Sequence, residues 1–403
     1  MEARSLPIAT VGIVGAGQLG LMLCDAARRL GIATRVLAGT PDDPAVARAD
    51  AHIIGDRFDS EALGRLAGQS NVVTFEIEHA DTTALAGTTA AVYPAPAALE
   101  TIRDKWRQRS ALEAAGVPGP RAALWERSSL GTGQGFAGAT SGESPSHSPL
   151  PEGMIYPVVQ KLRRGGYDGR GVAILRDELD VPLPGESLVE ECVSIEREVS
   201  VLVARTPSGA EAVYPPVLME FDPEANINTL CALPSGLSPK VAEQAIGIAA
   251  HAVRSLDIVG ICAVELFIAT DGRVLVNELA PRPHNSGHLT IEASATSQFE
   301  QHLRAILDLP LGSTATVRPA VMVNLLGSGD AGDPAIEGLN SLLALPEVHL
   351  HLYDKRPSKP GRKMGHVTIC GGTIDEARER AAVVRRTAVV TGMGSAPGSE
   401  KRT

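Results

Sequence analysis

The chain has 403 residues, of which 44% are hydrophobic, and a formal net charge of −10 at pH 7. A chain of this length should form several domains, and its acidity argues against a broad basic surface for nucleic acid or membrane. The five cysteines are scattered singly, and no apolar stretch is long enough to span a membrane. We therefore expect a soluble cytoplasmic protein without a disulfide framework, a zinc site, or a nucleic-acid or membrane partner.

The first hundred residues are predicted to form an open, mostly parallel sheet. A β-branched run at 9–14 ends in a glycine turn, and an apolar helical pattern follows at 19–30. The further elements expected here are strands at 33–37, 52–54 and 71–75 and a helix at 60–67.

The rest of the chain mixes strands and helices. A helix is expected at 104–115, and the segment 128–153, rich in Gly, Ser and Pro, is interpreted as a mobile loop or an insertion. The elements expected after it are strands at 157–162, 172–175, 187–190 and 198–204, a helix at 239–256, strands at 262–268 and 274–277, a helix at 297–307, and strands at 320–325 and 348–353.

The glycine turn Gly15-x-Gly17-x-x-Gly20 brings backbone amides to a helix N-terminus, where they usually approach a phosphate. An NAD-binding domain would also need an acidic residue at the end of the second strand, but residues 36–39 contain none. Asp42 and Asp43 follow closely, so this interpretation is weakened and stays open. Glu76, at the end of a later strand, either faces the same crevice or is a surface carboxylate.

The segment 161–171 combines cations, a carboxylate and four glycines. Glycines let backbone amides wrap around phosphate oxygens while Lys and Arg neutralise their charge. Asp168 would repel a triphosphate, so we expect it to orient or deprotonate an amine. A flexible basic hairpin without chemistry is the less favoured alternative.

Two acids lie on neighbouring predicted strands. Glu265 and Glu278 are separated by the turn at 270–272 and could point into one pocket together with Asn277. Magnesium prefers such oxygens and commonly bridges carboxylates to nucleotide phosphates. The sequence therefore predicts a metal site on this hairpin.

The polar loop 280–288 follows at once and carries two prolines that restrict its backbone. Arg282 can form two parallel hydrogen bonds to a carboxylate or bicarbonate, and His284 or Asn285 can donate others. A basic cluster at 353–366 is either a solvated loop or a phosphate site.

In this order, these stretches resemble the 5-(carboxyamino)imidazole ribonucleotide synthase family from Gly15 to about His366, most specifically at 165–171, 277–288 and 360–366. The resemblance implies an α/β chain with the ATP-grasp fold, in which an N-terminal open parallel-sheet (Rossmann-like) domain precedes a small lid domain and a C-terminal α+β domain. The implied divisions are the N-terminal pre-ATP-grasp domain at 1–100, the connecting helix and lid at 101–190, the ATP-grasp core with its metal site at 191–315, the C-terminal domain at 316–390 and a disordered tail at 391–403.

The implied activity is the ATP-dependent carboxylation of 5-aminoimidazole ribonucleotide with bicarbonate, through carboxyphosphate, in purine biosynthesis. Magnesium or manganese would be the cofactor, and the family implies a homodimer. A formate-using glycinamide ribonucleotide ligase with the same fold remains an alternative, as does a non-catalytic protein that binds a nucleotide or dinucleotide at the Gly15 turn.

The resemblance also assigns residues. The expected ATP contacts are Lys105, Lys161, Gly166, Tyr167, Asp168, Gly169, Arg170, Gly171, Glu190, Glu191, Cys192, Val193, Glu198, Asn277 and Glu278. The expected ribonucleotide contacts are Gln18, Leu19, Glu76, Tyr167, Arg170, Lys355 and Arg362. Glu265 and Glu278 would hold the metal, and the catalytic residues would be Asp168, Arg282, His284 and Asn285. Leu218 departs from the family, which tends to carry a polar residue near the nucleotide at this stretch.

Overall fold

The computed structural model describes residues 6–125, 149–165, 171–222 and 227–393. These ranges form a five-stranded, a four-stranded and an eleven-stranded sheet with helices packed against them. Within these ranges, none of the helices has the length and apolar character needed to cross a membrane.

The N-terminal domain is an open sheet of parallel strands. Its elements are β1 (Thr10–Val14), α1 (Gln18–Arg29), β2 (Ala33–Ala38), β3 (Ala51–Ile54), α2 (Ser60–Gly68), β4 (Val72–Phe75) and β5 (Ala91–Val92). The strand order is β3-β2-β1-β4-β5, and the central β1 and β4 are buried almost throughout because helices cover the sheet. All the strands and helices predicted here are confirmed, whereas β5 is not among them.

Two helices lead into the small sheet. They are α3 (Pro96–Arg103) and α4 (Lys105–Ala114), and the strands that follow are β6 (Ala122–Trp125), β7 (Val158–Leu162), β8 (Val172–Leu175) and β9 (Ser187–Glu191). The strands are antiparallel in the order β6-β9-β7-β8. Asp104 ends α3 and caps α4 by accepting from the amides of Trp106 and Arg107.

The strand-loop-strand unit predicted at 157–175 is confirmed as the β7-β8 pair. Most of the predicted loop at 128–153 lies outside the described residues, which resume at 149.

The large sheet contains the remaining strands. Its elements and the helices between them are β10 (Ile195–Arg205), β11 (Glu211–Val213), β12 (Val217–Phe221), β13 (Asn228–Leu233), α5 (Pro239–Ser255), β14 (Gly260–Ala269), β15 (Val274–Ala280), α6 (Thr290–Ala293), α7 (Gln298–Ile306), β16 (Ala320–Ser328), β17 (Asp333–Glu337), α8 (Leu339–Leu343), β18 (Val348–Leu352), β19 (Lys363–Cys370), α9 (Ile374–Thr387) and β20 (Val389–Met393). The main path runs β15-β14-β10-β12-β13-β16-β19-β18. Because β13 pairs with β16, the sheet continues across the division predicted at residue 315.

The C-terminal part differs from one sequence expectation and, in part, from one of the two alternatives for the basic cluster. The strand β19 begins at Lys363, so the second half of the motif at 360–366 is sheet rather than loop. The strand β20 pairs with β17 up to Met393, so the prediction of a disordered tail is wrong for 391–393. Residues 394–403 lie outside the described residues.

The N-terminal domain and the large sheet share one core through α7. Phe299, Leu303 and Ile306 of this helix belong to the same buried cluster as Leu23 of α1. On the same helix, His302 is fully buried. Its Nδ1 accepts from the amide of Ile261 on β14 at 3.0 Å, and its Nε2 lies 2.8 Å from the hydroxyl of Thr74 on β4.

This imidazole makes stability depend on pH, because burial lowers the pKa of His302 to about 3. The pKa in the unfolded chain is about 6.5, so the unfolded chain binds one more proton between these two pH values. The contribution of His302 to stability is complete above pH 6.5 and is lost, by about 1.4 kcal/mol per pH unit, as the pH falls toward 3.

We predict that His302→Asn, which has no titratable group at this position, reduces the loss of unfolding free energy between pH 6.5 and pH 5 by about 1.5 kcal/mol. Urea unfolding at the two pH values measures this difference. The control is Gln301→Asn, a substitution at a neighbouring buried position of α7 without a titratable group. It should lower stability equally at both pH values, and an unchanged pH dependence in His302→Asn would contradict the assignment.

Candidate active site

The β14-β15 hairpin places two carboxylates side by side. Glu265 and Glu278 are partners in its antiparallel register, and Ser200 of β10 pairs with Glu265 on the other side. The predicted strands and turn of this hairpin are confirmed. Burial raises the pKa of Glu265 to about 8, and the negative charges of Glu278 and Glu198 contribute to this rise. A divalent cation would relieve this repulsion, so the residues present fit the predicted metal.

Protein side chains alone do not enclose a metal here. Within the described ranges, no group of three His, Cys, Asp or Glu side chains has the arrangement to hold a metal ion. A cation on Glu265 and Glu278 would therefore take its other oxygens from an amide such as that of Asn277, from ligand or from water. This is how magnesium usually binds beside nucleotide phosphates.

Two lysines neutralise this acidic edge. The Nζ of Lys105 forms a salt bridge with Glu278. The Nζ of Lys161 lies 2.7 Å from Glu190 and donates to Oδ1 of Asn277 at 2.8 Å. The attraction of Lys105 lowers the pKa of Glu278 although burial opposes it. The two lysines predicted to contact ATP and the two acids predicted to bind the metal thus form one charged group of residues.

Arg109, which the sequence analysis missed, organises the same region from α4. Its guanidinium donates to the buried carboxylate of Glu190 at 3.0 Å and to the backbone carbonyl of Val276 at 3.0 Å. Burial would raise the pKa of Glu190, but Lys161 and Arg109 together lower it. The side chain of Glu190 is therefore engaged with these two cations, and its predicted contact with ATP remains a prediction.

Residues of the polar loop after β15 contact the segment that follows β4, the strand β14 and the strand β16. Arg282 pairs with Glu78, which follows β4, at 2.6 Å. The Nε2 of His284 lies 3.3 Å from Glu265. Burial lowers the pKa of His284 to about 3, and the positive charges of Arg282 and Lys363 contribute to this shift. The imidazole is therefore neutral at physiological pH. The loop thus presents one cation and one neutral imidazole beside the carboxylate pair.

Asn285 is fixed by residues far along the chain. It exchanges two amide hydrogen bonds with Asn324 of β16, at 2.8 and 2.9 Å. Asn324 also donates to the backbone carbonyl of Asn228 on β13 at 2.9 Å. The orientation of Asn285 therefore depends on the junction between β13 and β16. Neither Asn324 nor Asn228 was predicted from the sequence.

The glycine turn before α1 holds an internal anion. The carboxylate of Glu76 accepts from the amides of Gly17 and, at 2.6 Å, Gly20. A side chain at Gly15 would collide with Glu76. The anion at this turn is the protein's own carboxylate, and not the phosphate that the glycine pattern favours. Asp43, one of the two acids that kept the dinucleotide interpretation open, accepts from the amide of Gly39 at 2.8 Å.

Glu76 connects the glycine turn with the basic C-terminal cluster. Burial raises its pKa, while the two amides and the charges of Lys355 and Arg282 partly offset that effect. The Nζ of Lys355 lies 5.5 Å from the ring centroid of Tyr353, and Arg362 donates to the carbonyl of Pro357 at 2.7 Å. The carboxylate of Glu76 therefore faces the glycine turn, as one of the two interpretations of this residue predicted.

The remaining predicted residues lie at several places in the fold. Gly166, Tyr167, Asp168, Gly169 and Arg170 lie outside the described residues, and Gly171 stands directly before β8. Gln18 begins α1, and the side chain of Leu19 packs in the core.

Glu191 pairs with Arg273, Cys192 is exposed and Val193 is half-buried. Glu198 opens on a cleft of about 390 Å³ between β10 and β12 that Leu218 and Phe221 also line.

Comparison with known proteins matches three successive parts of the chain. A ribonucleotide synthetase preATP-grasp domain matches residues 8–103, an ATP-grasp domain residues 139–299, and a phosphoribosylaminoimidazole carboxylase C-terminal domain residues 320–380. The N5-carboxyaminoimidazole ribonucleotide synthase of Synechococcus elongatus is 40% identical over 387 residues, with 93% of both chains covered.

Solved structures agree with these matches. The N5-carboxyaminoimidazole ribonucleotide synthetase of Thermotoga maritima has a TM-score of 0.83 and 39% identity, covering 96% of this chain and 100% of that chain. The N5-carboxyaminoimidazole synthase of Aspergillus clavatus, solved in complex with ADP and 5-aminoimidazole ribonucleotide, has a TM-score of 0.79 and 31% identity, covering 94% and 99%.

We predict that Gly15→Ala destabilises the protein by about 2 kcal/mol or more, because the new Cβ strains a positive φ and displaces Glu76. The control is Gly64→Ala on α2, where an added Cβ meets nothing within 4 Å. That change should be neutral or stabilise by up to about 1 kcal/mol. Chemical denaturation of both variants measures the difference, and equal stabilities would contradict the role of Gly15.

Proposed function

Because the chain belongs to the N5-carboxyaminoimidazole ribonucleotide synthase family, we propose that it uses bicarbonate as its carbon source and a magnesium or manganese ion as its cofactor. It is an ATP-dependent ligase with the ATP-grasp fold that carboxylates 5-aminoimidazole ribonucleotide in purine biosynthesis. The fold and activity predicted from the sequence are thereby confirmed. The observation that carries the proposal for this chain is the register pair Glu265 and Glu278 beside the loop of Arg282 and His284.

ATP is proposed to lie between the small sheet and the large sheet. Lys105 and Lys161 already meet at the acidic edge and would contact its phosphates. Glu198, on the cleft between β10 and β12, would hold the ribose, with the backbone at 190–193 beside the adenine. The glycine-rich segment 165–171 would cover the phosphates, and its residues 166–170 lie outside the described ones.

Glu265 and Glu278 would hold the metal ion, assisted by Asn277. The ion would supply charge neutralisation at the β- and γ-phosphates.

The first chemical step proposed is attack by a bicarbonate oxygen on the γ-phosphorus of ATP. The new P–O bond gives carboxyphosphate, and the bond to the leaving ADP oxygen breaks with its electron pair on ADP. Arg282 would hold the planar anion and stabilise the charge that develops, while neutral His284 and Asn285 donate hydrogen bonds.

Carboxyphosphate would then break its C–O bond to phosphate and release carbon dioxide next to the ribonucleotide. The exocyclic amine attacks the carbon and loses a proton, for which Asp168 is the proposed acceptor. The ribonucleotide would be held by Gln18, Leu19, Glu76, Tyr167, Arg170, Lys355 and Arg362. Exclusion of water matters because hydrolysis would destroy the intermediate.

A homodimer and a cytoplasmic location complete the proposal. The five cysteines are all free, which fits a reducing compartment. Light scattering on the purified chain measures the oligomeric state.

We predict that ADP release by the purified chain requires bicarbonate and is stimulated by 5-aminoimidazole ribonucleotide. Glu278→Gln should lower this turnover at least about 100-fold, because one charge at the phosphates is lost. Glu347→Gln, which changes an exposed salt bridge of 2.6 Å with Arg318, is the control and should keep the parent rate.

A coupled assay of ADP at saturating ATP makes the measurement, with formate offered in place of bicarbonate. Absence of ribonucleotide-stimulated turnover in folded protein, or turnover with formate alone, would contradict the proposal.

A further inference from the structure

Glu78 and Arg282 form a bidentate salt bridge between the N-terminal domain and the large sheet. The Nε of Arg282 donates to Oε2 of Glu78 at 2.6 Å, and Nη2 donates to Oε1 at 3.2 Å. Each side chain is only 21% exposed. Glu78 follows β4 and Arg282 follows β15, so the pair links two elements that are distant along the chain.

Both partners stay charged. Burial would raise the pKa of Glu78, but the guanidinium of Arg282 outweighs it and lowers that pKa to about 2. Burial likewise lowers the pKa of Arg282, but the carboxylate of Glu78 outweighs burial, so that the pKa is raised. A buried guanidinium without such a partner would be strongly disfavoured.

The geometry decides which edge of the guanidinium can meet a ligand. Arginine carries five N–H groups in a planar fork. The edge formed by Nε and Nη2 is taken by Glu78, and Nη1 reaches the carbonyl of Pro283 only at 3.4 Å. Within the described part of the chain, no carboxylate meets the edge formed by Nη1 and Nη2. Two N–H groups on one edge match the two oxygens of a planar anion.

The segment that carries Glu78 is held at both of its acids. Glu76, two residues earlier, accepts the amides of Gly17 and Gly20 at the start of α1. This short stretch therefore connects a predicted ribonucleotide contact with the arginine of the anion-facing loop.

We propose that Glu78 is a positioning residue for the carboxylation reaction, holding Arg282 so that its Nη1–Nη2 edge faces bicarbonate and the carboxyphosphate formed from it. Glu78 acts through Arg282 and does not touch the anion. This inference rests on the proposed use of bicarbonate. In the opposite arrangement Glu78 would compete with bicarbonate for Arg282. Removing the charge of Glu78 would then lower the KM for bicarbonate rather than raise it.

The test is steady-state kinetics of the full chain carrying Glu78→Gln, which keeps the shape of the side chain and removes its charge. The KM for bicarbonate should rise about 10-fold or more and kcat should fall, because the anion-binding edge is no longer fixed. The KM for ATP should stay within about 2-fold of the parent value. A general loss of structure would not separate the two substrates in this way.

A double-substitution cycle tests whether Glu78 acts through Arg282. In an Arg282→Lys background, Glu78→Gln should change the KM for bicarbonate by less than about 3-fold, since the forked contact is already absent. The matched control is Glu300→Gln, which alters a salt bridge of 2.6 Å to Arg304 with similar exposure. It should leave the KM for bicarbonate unchanged.

Each outcome decides the inference. An unchanged KM for bicarbonate in Glu78→Gln would overturn it, and a lowered KM would show competition instead of positioning. If Glu78→Gln fails to fold by circular dichroism, Glu78→Asp replaces it and should also raise the KM for bicarbonate. Failure of the proposed function looks different, because the unsubstituted chain would then show no bicarbonate-dependent turnover.

Discussion

The site depends on the register of the β14-β15 hairpin, which places Glu265 opposite Glu278. Two carboxylates so close together repel each other, and burial makes their charges costlier still. Lys105 compensates one of them directly, and Lys161 anchors the neighbouring Asn277. A shift of the pairing by one residue would turn one acid to the opposite face of the sheet. Every later feature of the site presupposes this alignment.

Chain topology brings the other groups to that hairpin. Helix α7 packs into the core of the N-terminal domain, and His302 contacts both Thr74 of β4 and Ile261 of β14. The end of β4 therefore lies near the loop that follows β15, which is where Glu78 meets Arg282. The N-terminal domain and the large sheet are therefore positioned by a shared core.

Local patterns could be predicted from the sequence, and long-range partners could not. The turn at 270–272 and the apolar strands around it identify the hairpin with its two acids, because the relevant residues are close along the chain. Arg109 and Asn324 act on residues that are distant in sequence, and neither stands in a motif. The glycine turn was recognised as an anion site, but only the fold shows that its anion is Glu76.

The pairing of charges explains how one buried site can hold several cations before any ligand binds. Lys105 is paired with Glu278, Lys161 with Glu190, and Arg282 with Glu78. These pairs differ in whether the acid would stay in place if its cation also bound an anion. Glu190 has a second partner in Arg109, and Glu78 holds only one edge of Arg282, so both acids would keep their places if an anion bound to Lys161 or Arg282.

Glu278 differs because it is itself a proposed metal ligand. A metal bound there would free Lys105 for phosphate without leaving either charge unpaired. The arrangement is therefore suited to a nucleotide that arrives together with its cation.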